Sequence, residues 1–404
     1  MAMLELEQAL YQVLETMPPP ESESVPLGDA AGRVALEQIR SPIDLPLFDN
    51  SSMDGYAVRT SDVARARSPM PVRLRLSGRI AAGETFKGKV LPGTCVRLFT
   101  GSRLPHGADA VVMQEQTRVE PGTPTEVLVL ERVRRGENIR PQGEDVKQGT
   151  ILAEPGERLT ASRIALLGAA GIRRIHAGRQ PVVGLLATGS ELKEPAERLS
   201  PGQIYESNRL ALAALVRQAG GFPRVFPIVA DALAATRFAL AKAFRTCDVV
   251  ITSGGVSVGE MDFIKQAFEQ VGGALEFWKV AIRPGRPFVF GRYGRKLLFG
   301  LPGNPVSALV TFLLLARPAL LRWQGAVDVS FPTRSGVLAR GVANPEGRRH
   351  FMRVRVDASG KVRPTGAQGS HILSSLAAAN GLLDVPPGAV LAAGTSVQVV
   401  ALEG

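Results

Sequence analysis

Three glycine- and proline-rich turns, each directly after a short apolar run, carry the residues of this chain that could do chemistry. They read TSGGVSVGEMD at 252–262, RPGRP at 283–287 and LPGNP at 301–305. Irregular turns of this kind expose backbone N–H groups, and these turns also carry arginines and carboxylates. Together they predict a pocket that binds an anion and a metal.

Acidic residues follow several of the predicted strands. Glu191, Asp231 and Asp262 would meet at one edge if those strands lie parallel in one sheet. Carboxylate oxygens are the ligands that Mg²⁺ prefers, so a magnesium site is one interpretation. Taken singly, each residue is equally well explained as a helix cap, and Asp231 precedes a helix-like ALAATRF segment.

The RPGRP turn places Arg283 and Arg286 on a backbone that prolines stiffen. Two guanidinium groups held in this way lose little entropy on binding and can bind a tetrahedral oxyanion. The alternative is a solvated turn whose arginines contribute only to solubility.

The segment GVSVG at 255–259 fits G-x-S-x-G, the turn that presents the nucleophilic serine of many hydrolases. A serine hydrolase built on Ser257 also needs a histidine base within reach. The chain has four histidines, of which His350 and His371 fall in a β-like C-terminal region. This hydrolase stays as the alternative function. Otherwise Ser257 would direct its hydroxyl and N–H at a phosphate or a metal-bound water.

A further glycine motif, GETFKGKV at 83–90, nearly matches a phosphate-binding loop. Its last position holds Val90 in place of the hydroxyl that binds magnesium, and Pro92 follows where the motif needs a helix. We therefore interpret this segment as a loop in a β region.

The composition is that of a globular protein of several domains. At 404 residues the chain is too long for one compact core. Its longest apolar stretch, 306–316, ends at Arg317-Pro318 and falls short of the roughly 20 residues of a membrane span. Cys95 and Cys247 stand in unrelated contexts, so neither a disulfide framework nor a C-x-x-C metal site is expected. With no targeting pattern at the N-terminus, we expect a cytoplasmic location and no membrane partner.

The net charge of +11 raises the question of nucleic-acid binding. The 48 Lys and Arg residues are spread along the chain without a dense basic block. Aromatic residues make up only 5% of the chain and offer few surfaces for base stacking. We therefore expect anionic small molecules, and no nucleic acid, as the ligands of the local arginines.

Strands and helices alternate in the part of the chain that carries the turns. The predicted strands lie at 181–187, 222–229, 249–252, 275–281 and 296–299. Helices are predicted between them at 203–220, from 231 and at 261–271, and a further helix at 305–316 follows the last strand. This alternation predicts a mostly parallel sheet with helices on both faces and ligands beyond the carboxyl ends of its strands. Short β runs at about 72–152 and from about 330 predict two small β domains, and helix patterns lie at 4–14 and 160–172.

Taken together, these segments resemble the molybdopterin molybdenumtransferase family, which includes the E domain of gephyrin. The resemblance runs over nearly the whole chain in unbroken order. Its segments are FDNSSMDGYAVR at 48–59, RLFTGSRLP at 97–105, NIRPQGEDV at 138–146, TGSEL at 188–192, GQIYESN at 202–208, TSGGVSVGEMDF at 252–263, FWKVAIRPGRPF at 277–288, GLPGNPVSA at 300–308 and QGSHILSSL at 368–376.

The resemblance implies an elongated homodimer with an α/β multidomain fold. A central three-layer α/β/α domain of the molybdopterin-binding type would be accompanied by two small β domains and a split N-terminal α/β domain. The implied bounds are 1–48 with 141–178 for the split domain, 49–140 for the inserted β domain, 179–327 for the central domain and 328–404 for the C-terminal β domain.

The resemblance also implies the last step of molybdenum cofactor synthesis. Adenylylated molybdopterin would react with molybdate to give the molybdenum cofactor and AMP, with Mg²⁺ as the divalent ion. Further implied partners are a second copy of the chain and a separate molybdopterin adenylyltransferase.

Residue roles follow from the resemblance position by position. The residues implied to bind the metal and the phosphoanhydride are Asp231, Ser257 and Asp262. Glu191, Gly254 and Gly255 would lie close to them, and Lys279 would bind a phosphate. Those that cradle molybdate would be Arg283, Arg286, the backbone of Pro287, Arg348 and Ser374. The pocket floor would include Pro302 and Pro305.

Four further residues, Asp54, Thr100, Arg140 and Asp145, would come from the other subunit's side of a cleft formed on dimerisation. From residue types alone, the cluster DNSSMDGY at 49–56 is an ordinary Asx-turn linker, so this role depends on the resemblance.

The chain departs from the commonest wording of the family at two places. RPGRP replaces KPGKP, so that both implied molybdate-binding lysines are arginines, which are longer and planar. Ser190 stands where many relatives carry a second acid, which leaves one fewer carboxylate near the metal. The sequence leaves open the preference between molybdenum and tungsten and the final form of the cofactor.

Overall fold

The computed structural model describes residues 3–81, 83–255 and 263–402. Two predicted site residues, Ser257 and Asp262, lie outside the described residues, as does most of the GVSVG segment. The fold described below positions the remaining candidates.

A six-stranded mixed sheet forms the centre of the predicted α/β region. In spatial order its strands are Phe222–Val225, Val182–Ala187, Val249–Ser253, Lys296–Leu301, Val289–Tyr293 and Ala274–Trp278. The first four run parallel, and Val289–Tyr293 is antiparallel to both neighbours. A mostly parallel sheet is thereby confirmed. The strand Val289–Tyr293 is not among the predicted strands, and a tight turn at Gly294, with φ of 59°, joins it to the next strand.

Helices cover both faces of this sheet, as the three-layer prediction requires. Val249 and Ile251 pack with the helices Asn208–Gln218 and Pro305–Thr311. Val250, between them, packs with Leu233–Thr246 and Ile264–Gln270 on the other face. Alternate side chains of a strand point to opposite faces, so one apolar strand supplies both clusters.

The helix predicted at 203–220 begins only at Asn208. The residues before it, Ile204–Tyr205, instead pair in parallel with Leu192–Lys193. This pairing gives the segment between the strand Val182–Ala187 and the helix Asn208–Gln218 a small two-stranded structure. We call this segment the wall.

The helix that starts at Pro305 is longer than predicted. It continues through Phe312–Ala316, which is π-helical, into Arg317–Trp323. The predicted end at 316 is wrong, because the wider π turn accommodates Pro318, a residue that lacks an N–H. Residues Pro305–Trp323 are long and apolar enough to cross a membrane, yet 83% of the apolar window is buried inside the protein. Burial in the core therefore explains the apolar composition.

The region at 49–140 contains a six-stranded β sheet, as predicted. In spatial order its strands are Ala110–Met113, Gly55–Val58, Thr94–Leu98, Val72–Ile80, Glu126–Val129 and Thr117–Arg118. A short helix, Thr60–Val63, accompanies them. Residues 83–90 form a loop beside this sheet, which confirms that they are not followed by the helix of a phosphate-binding loop.

Segments on either side of the inserted sheet pair with each other. Ser22–Pro26 pairs with Arg174–Gly178, and Ile39–Arg40 with Ile151–Ala153. The predicted helix near 160–172 spans Ala161–Ala169 and is capped by the Thr160 side chain. The first helix, Leu6–Glu15, packs on the core cluster of the central domain. The domain bounds stay a prediction.

The C-terminal β domain contains a third six-stranded sheet. In spatial order its strands are Ile282–Arg283, Arg349–Val356, Lys361–Pro364, Thr333–Leu338, Ser396–Ala401 and Gly381–Val385. Shorter elements are Val342–Ala343, Val390–Leu391 and the helix Leu373–Ala377. Its edge strand, Ile282–Arg283, comes from the loop of the central domain that carries RPGRP. The two domains therefore meet at this turn.

Candidate functional site

A cavity of about 780 Å³ opens at the carboxyl ends of the parallel strands. All three of the predicted turns contribute to its wall, together with the turn after Val182–Ala187. The predicted site residues that line it are Glu191, Asp231, Gly254, Gly255, Pro287, Pro302 and Pro305. The parallel strands thus bring together candidates that are more than 100 residues apart in the chain.

The glycines at the end of Val249–Ser253 allow two strand ends to approach closely. Gly254 has a φ of 88°, and a Cβ atom there would lie 2.7 Å from the carbonyl oxygen of Thr188. A Cβ atom on Gly255 would lie 2.8 Å from the Oγ1 atom of Thr188. Only glycine fits both positions, so their backbone can line the cavity directly.

Asp231 and the loop at Ser190 hold each other in place at the cavity wall. The backbone N–H of Ser190 donates to Oδ2 of Asp231 at 2.9 Å, and the N–H of Asp231 donates to the Ser190 hydroxyl at 3.2 Å. The helix-cap interpretation of Asp231 is wrong, because Ala232 occupies the cap position. Among the described residues, no hydrogen bond to the other carboxylate oxygen of Asp231 is present.

The donors at this edge suit a hard cation. Three carboxylate residues, Glu191, Glu206 and Asp231, line the cavity together with Thr188, and the Glu206 carboxylate is paired with Arg209. The Oγ1 atom of Thr188 is buried and has no hydrogen-bond partner among the described residues. Within 3–81, 83–255 and 263–402 no group of three His, Cys, Asp or Glu side chains is placed to hold a metal. The implied ligands Ser257 and Asp262 lie outside these ranges.

A buried arginine fixes the wall that carries Glu191. The Arg209 side chain is 2% exposed and donates to Glu206 at 2.9 Å and to Glu194 at 2.8 Å. The Ile204 N–H donates to the backbone carbonyl of Glu191 at 2.9 Å. These contacts attach the wall to the helix Asn208–Gln218, because breaking a buried ion pair leaves an uncompensated charge.

Asn208 ties two of the turns to each other. Its Nδ2 atom donates to the Ser253 hydroxyl at 2.6 Å and to the carbonyl oxygen of Gly303 at 2.8 Å. The segment GQIYESN contains this residue, but residue type alone does not indicate its role. Asn208 fixes the spacing between SGG and LPGNP and therefore the width of the cavity.

Two arginines assigned to molybdate meet at one glutamate. Ile282–Arg283 pairs in parallel with the start of Arg349–Val356, which brings Arg283 beside Arg348. Nη1 of Arg283 donates to Oε1 of Glu346 at 2.5 Å, and Nη2 of Arg348 donates to Oε2 of Glu346 at 2.8 Å. We call Arg283, Glu346 and Arg348 the arginine bridge. Glu346 is not among the residues predicted from the sequence, although it lies two residues before Arg348 in NPEGRRHF.

The loop that carries Ser374 is held from beneath by Arg353. This guanidinium is fully buried and donates to the Ser375 hydroxyl and to the carbonyl oxygens of Ala367, Gln368 and Gly369, at 3.0 to 3.1 Å. Val306 donates its N–H to Ser370 of the same loop at 3.2 Å. The loop is thereby seated on LPGNP, with Ser374 exposed on its short helix.

Lys279 precedes the RPGRP turn, and Arg286 lies within it. The Lys279 Nζ atom lies 4.2 Å from the centre of the Trp278 ring, and the Lys279 backbone has a φ of 75°. Arg286 is exposed, and no described carboxylate lies within ion-pair distance of it. Neither side chain lines the cavity, whereas Pro287, at the end of the turn, does.

Family models and relatives account for almost the whole chain. The model of the MoeA N-terminal region (domain I and II) matches residues 4–171, "Probable molybdopterin binding domain" matches 184–322, and the MoeA C-terminal region (domain IV) matches 335–402. A protein of Haemophilus influenzae named molybdopterin molybdenumtransferase is 40% identical over 94% of this chain and 93% of the relative. The chain belongs to the MoeA family.

Other members of the MoeA family also match this chain over nearly its whole length. Molybdopterin molybdenumtransferase 2 of Mycobacterium tuberculosis is 40% identical over 93% of this chain and 94% of its own length. The crystal structure of the molybdopterin biosynthesis moeA protein from Pyrococcus horikoshii OT3 superposes with a TM-score of 0.83 at 33% identity, covering 99% of this chain and 100% of that one. The α/β multidomain fold expected from the resemblance is thereby confirmed.

The four residues that the MoeA resemblance places in the other subunit lie away from the cavity of this chain. Asp54 is hydrogen-bonded to Thr100 in the inserted β domain. Arg140 pairs opposite Asn50, and the Asp145 N–H donates to the carbonyl oxygen of Leu45 at 3.0 Å. None of the four lines the 780 Å³ cavity.

The hydrolase alternative finds no support in the MoeA relatives, which are named as transferases. His371 does line the cavity, as a base for Ser257 would have to. Among the described residues, however, no carboxylate accepts a hydrogen bond from its ring to orient it. Ser257 itself lies outside the described residues.

Proposed function

We propose that this protein is a molybdopterin molybdenumtransferase, which combines adenylylated molybdopterin with molybdate and releases AMP. The observation that carries the proposal is the pairing of a carboxylate-lined cavity with the arginine bridge across the RPGRP turn. The first suits a metal-bound phosphoanhydride and the second an oxyanion. Membership of the MoeA family over nearly the full length supports the same reaction.

In this proposal Asp231 and Glu191 hold Mg²⁺ together with Ser257 and Asp262. Their carboxylates would supply the oxygen ligands that this ion prefers, together with the Thr188 hydroxyl, which has no partner among the described residues. When bound, Mg²⁺ would neutralise charge on the phosphate bridge. Ser190 keeps one Asp231 oxygen engaged and so orients the other toward the cavity.

The remaining cations bind the anionic ends of the two substrates. Arg283 and Arg348 would hold molybdate, with Arg286, Ser374 and the Pro287 backbone around it, because paired guanidinium groups match an oxyanion. Lys279 would hold a phosphate of adenylylated molybdopterin. Pro302 and Pro305 shape the floor on which the substrate lies.

The proposed enzyme is a cytoplasmic homodimer. Asp54, Thr100, Arg140 and Asp145 lie away from the cavity of their own chain, so a second copy of the chain is needed to bring them to it. The adenylylated substrate would come from a separate molybdopterin adenylyltransferase that contacts this protein.

AMP release from adenylylated molybdopterin with Mg²⁺, measured with and without molybdate, tests the proposed function. Release that depends on molybdate is the expected result. Release without molybdate would indicate a plain pyrophosphohydrolase, and absence of release would overturn the proposal. Labelling by a fluorophosphonate probe, lost on Ser257→Ala, would instead support the serine hydrolase.

A further inference from the structure

The two guanidinium groups of the arginine bridge already hold an anion, and that anion is a side chain of the protein. Each oxygen of the Glu346 carboxylate accepts from a different arginine, Arg283 at 2.5 Å and Arg348 at 2.8 Å. A carboxylate shared in this way makes the same kind of contacts as two oxygens of a bound oxyanion. An anion that binds both arginines must therefore take the place of Glu346.

The bridge is accessible to small anions from solvent. The side chains of Arg283, Glu346 and Arg348 are 35%, 36% and 29% exposed. Because more than a third of its side chain faces solvent, Glu346 can turn away from the arginines toward water.

The backbone of this loop does not depend on Glu346. Asn344 is 1% exposed, and its Nδ2 atom donates to the carbonyl oxygens of Arg348, Val385 and Pro386 at 2.8 to 3.0 Å. Strand pairing of Arg283 with His350 holds the other side of the bridge. The backbone that carries Arg348 and Arg283 is therefore held independently of the Glu346 side chain.

We propose that Glu346 is an internal competitor of the oxyanion, which occupies the two arginines until molybdate displaces it and so sets the anion affinity and selectivity of the site. The inference rests on the proposed function. Glu346 cancels one of the two positive charges, and a singly charged anion gains too little attraction to displace it. A doubly charged tetrahedral oxyanion gains more and can bind. Discrimination then comes from competition as well as from contacts to molybdate.

If Glu346 instead served only to position the arginines, its removal would have the opposite effect on anion binding. If Glu346 only orients Arg283 and Arg348, its removal leaves them disordered and weakens anion binding. If it competes, removal of its charge strengthens binding. Glu346→Gln separates the two because glutamine keeps the shape of the side chain but not its charge.

The experiment measures binding of molybdate, sulfate and nitrate to the purified full-length protein by calorimetry, and the molybdate concentration that half-saturates AMP release. We expect Glu346→Gln to tighten molybdate binding about three- to tenfold, since exposed ion pairs of this kind are weak and easily displaced. Nitrate, a singly charged anion, should become an inhibitor of the variant at concentrations that leave the wild type unaffected. Glu346→Asp, which keeps the charge, should stay closer to wild type.

Glu126→Gln is the matched control, because it breaks an ion pair with Arg73 in the inserted β domain. It should change none of these values. Unchanged or weaker molybdate binding by Glu346→Gln, with wild-type AMP release still dependent on molybdate, would overturn the competitor role alone. Wild-type protein that neither binds molybdate nor releases AMP would overturn the proposed function as well.

Discussion

Thr100 donates both its backbone N–H and its hydroxyl to the same oxygen of Asp54, at 2.8 and 2.9 Å. The antiparallel pairing of Gly55 with Leu98 brings these residues together. The two hydrogen bonds, that of the backbone first, hold the pKa of Asp54 below its ordinary value. Asp54 is therefore an ionised carboxylate with a fixed orientation, a more specific feature than the Asx-turn linker that its residue types indicate.

Mixed dimers test whether Asp54 acts on the cavity of the other subunit. Asp54→Ala and Asp231→Ala should each abolish AMP release, but a mixture of the two, unfolded and refolded together, should recover about one quarter of the wild-type rate. Half of the dimers are then mixed, and each of these carries one intact site. The rate is measured on the refolded mixture and on each variant refolded alone.

A control for this experiment is a mixture of Asp54→Ala with Thr100→Val. Both substitutions affect the same subunit's contribution, so a mixed dimer would carry no fully intact site. Recovery in the first mixture only supports a site shared between subunits. No recovery in either would mean that Asp54 acts within its own subunit, and the shared site would be overturned.

Asp231→Asn tests the metal. Asparagine keeps an oxygen that can accept the Ser190 N–H, so the loop should stay in place while the charge is lost. We expect the Mg²⁺ concentration for half-maximal AMP release to rise about tenfold or more, because a neutral amide is a weaker ligand for this ion. Asp328→Asn, at a carboxylate bonded only to Ser330 and outside the cavity, is the control. An unchanged Mg²⁺ requirement would remove Asp231 from the ligands.

Arg286→Ala tests the second arginine of RPGRP. Arg286 is exposed, and the described residues offer it no carboxylate, so its charge is available to an incoming anion. The molybdate concentration for half-saturation should rise about tenfold, and Arg286→Lys should restore part of the loss by returning the charge without the planar fork. Arg118→Ala, an exposed arginine of the inserted sheet, should behave as wild type. Equal values for Arg286→Ala and wild type would place molybdate elsewhere.

Much of the central domain is predictable from its sequence because periodicity and turn residues act locally. The run at Val249–Ser253 is apolar on both faces, which indicates a buried parallel strand, and the structure confirms it. The extension of the helix through Pro318 is not predictable in this way. Proline normally ends a helix, and only the packing of Pro305–Trp323 against the sheet favours the π turn that accommodates it.

Some residues of the candidate site are likewise predictable from the sequence, and others are not. Gly254, Gly255 and Pro302 follow strands, so parallel pairing alone brings them to one cavity. Glu346 could not be found in this way, because its partners Arg283 and Arg348 come from two different domains. Contacts between domains depend on how their surfaces meet, and no local pattern in the sequence records that.

The burial of His350 predicts how the stability of the protein depends on pH. Its ring is 3% exposed, and Nε2 has no hydrogen-bond partner among the described residues. Burial, and then the charges of Arg283 and Arg353, lower its pKa from 6.5 to about 4. Between these two values the unfolded chain binds a proton that the native protein does not. The contribution of His350 to the free energy of unfolding is therefore fully present above pH 6.5 and decreases as the pH falls toward 4. Below pH 4 this group causes no further loss of stability.

The full loss from this one group is about 3 kcal/mol, and it should appear in the C-terminal β domain. Hydrogen exchange of Arg349–Val356 and its partner strand Gly381–Val385, measured from pH 7 to 4.5, reports the local free energy of opening. His350→Gln, which cannot titrate, should show a shallower decline of this free energy than wild type, even if it is less stable at pH 7. His106→Gln, at an exposed histidine, should keep the wild-type slope. The same slope in all three proteins would mean that His350 takes up its proton in the native state, and that its burial does not exclude the charged form.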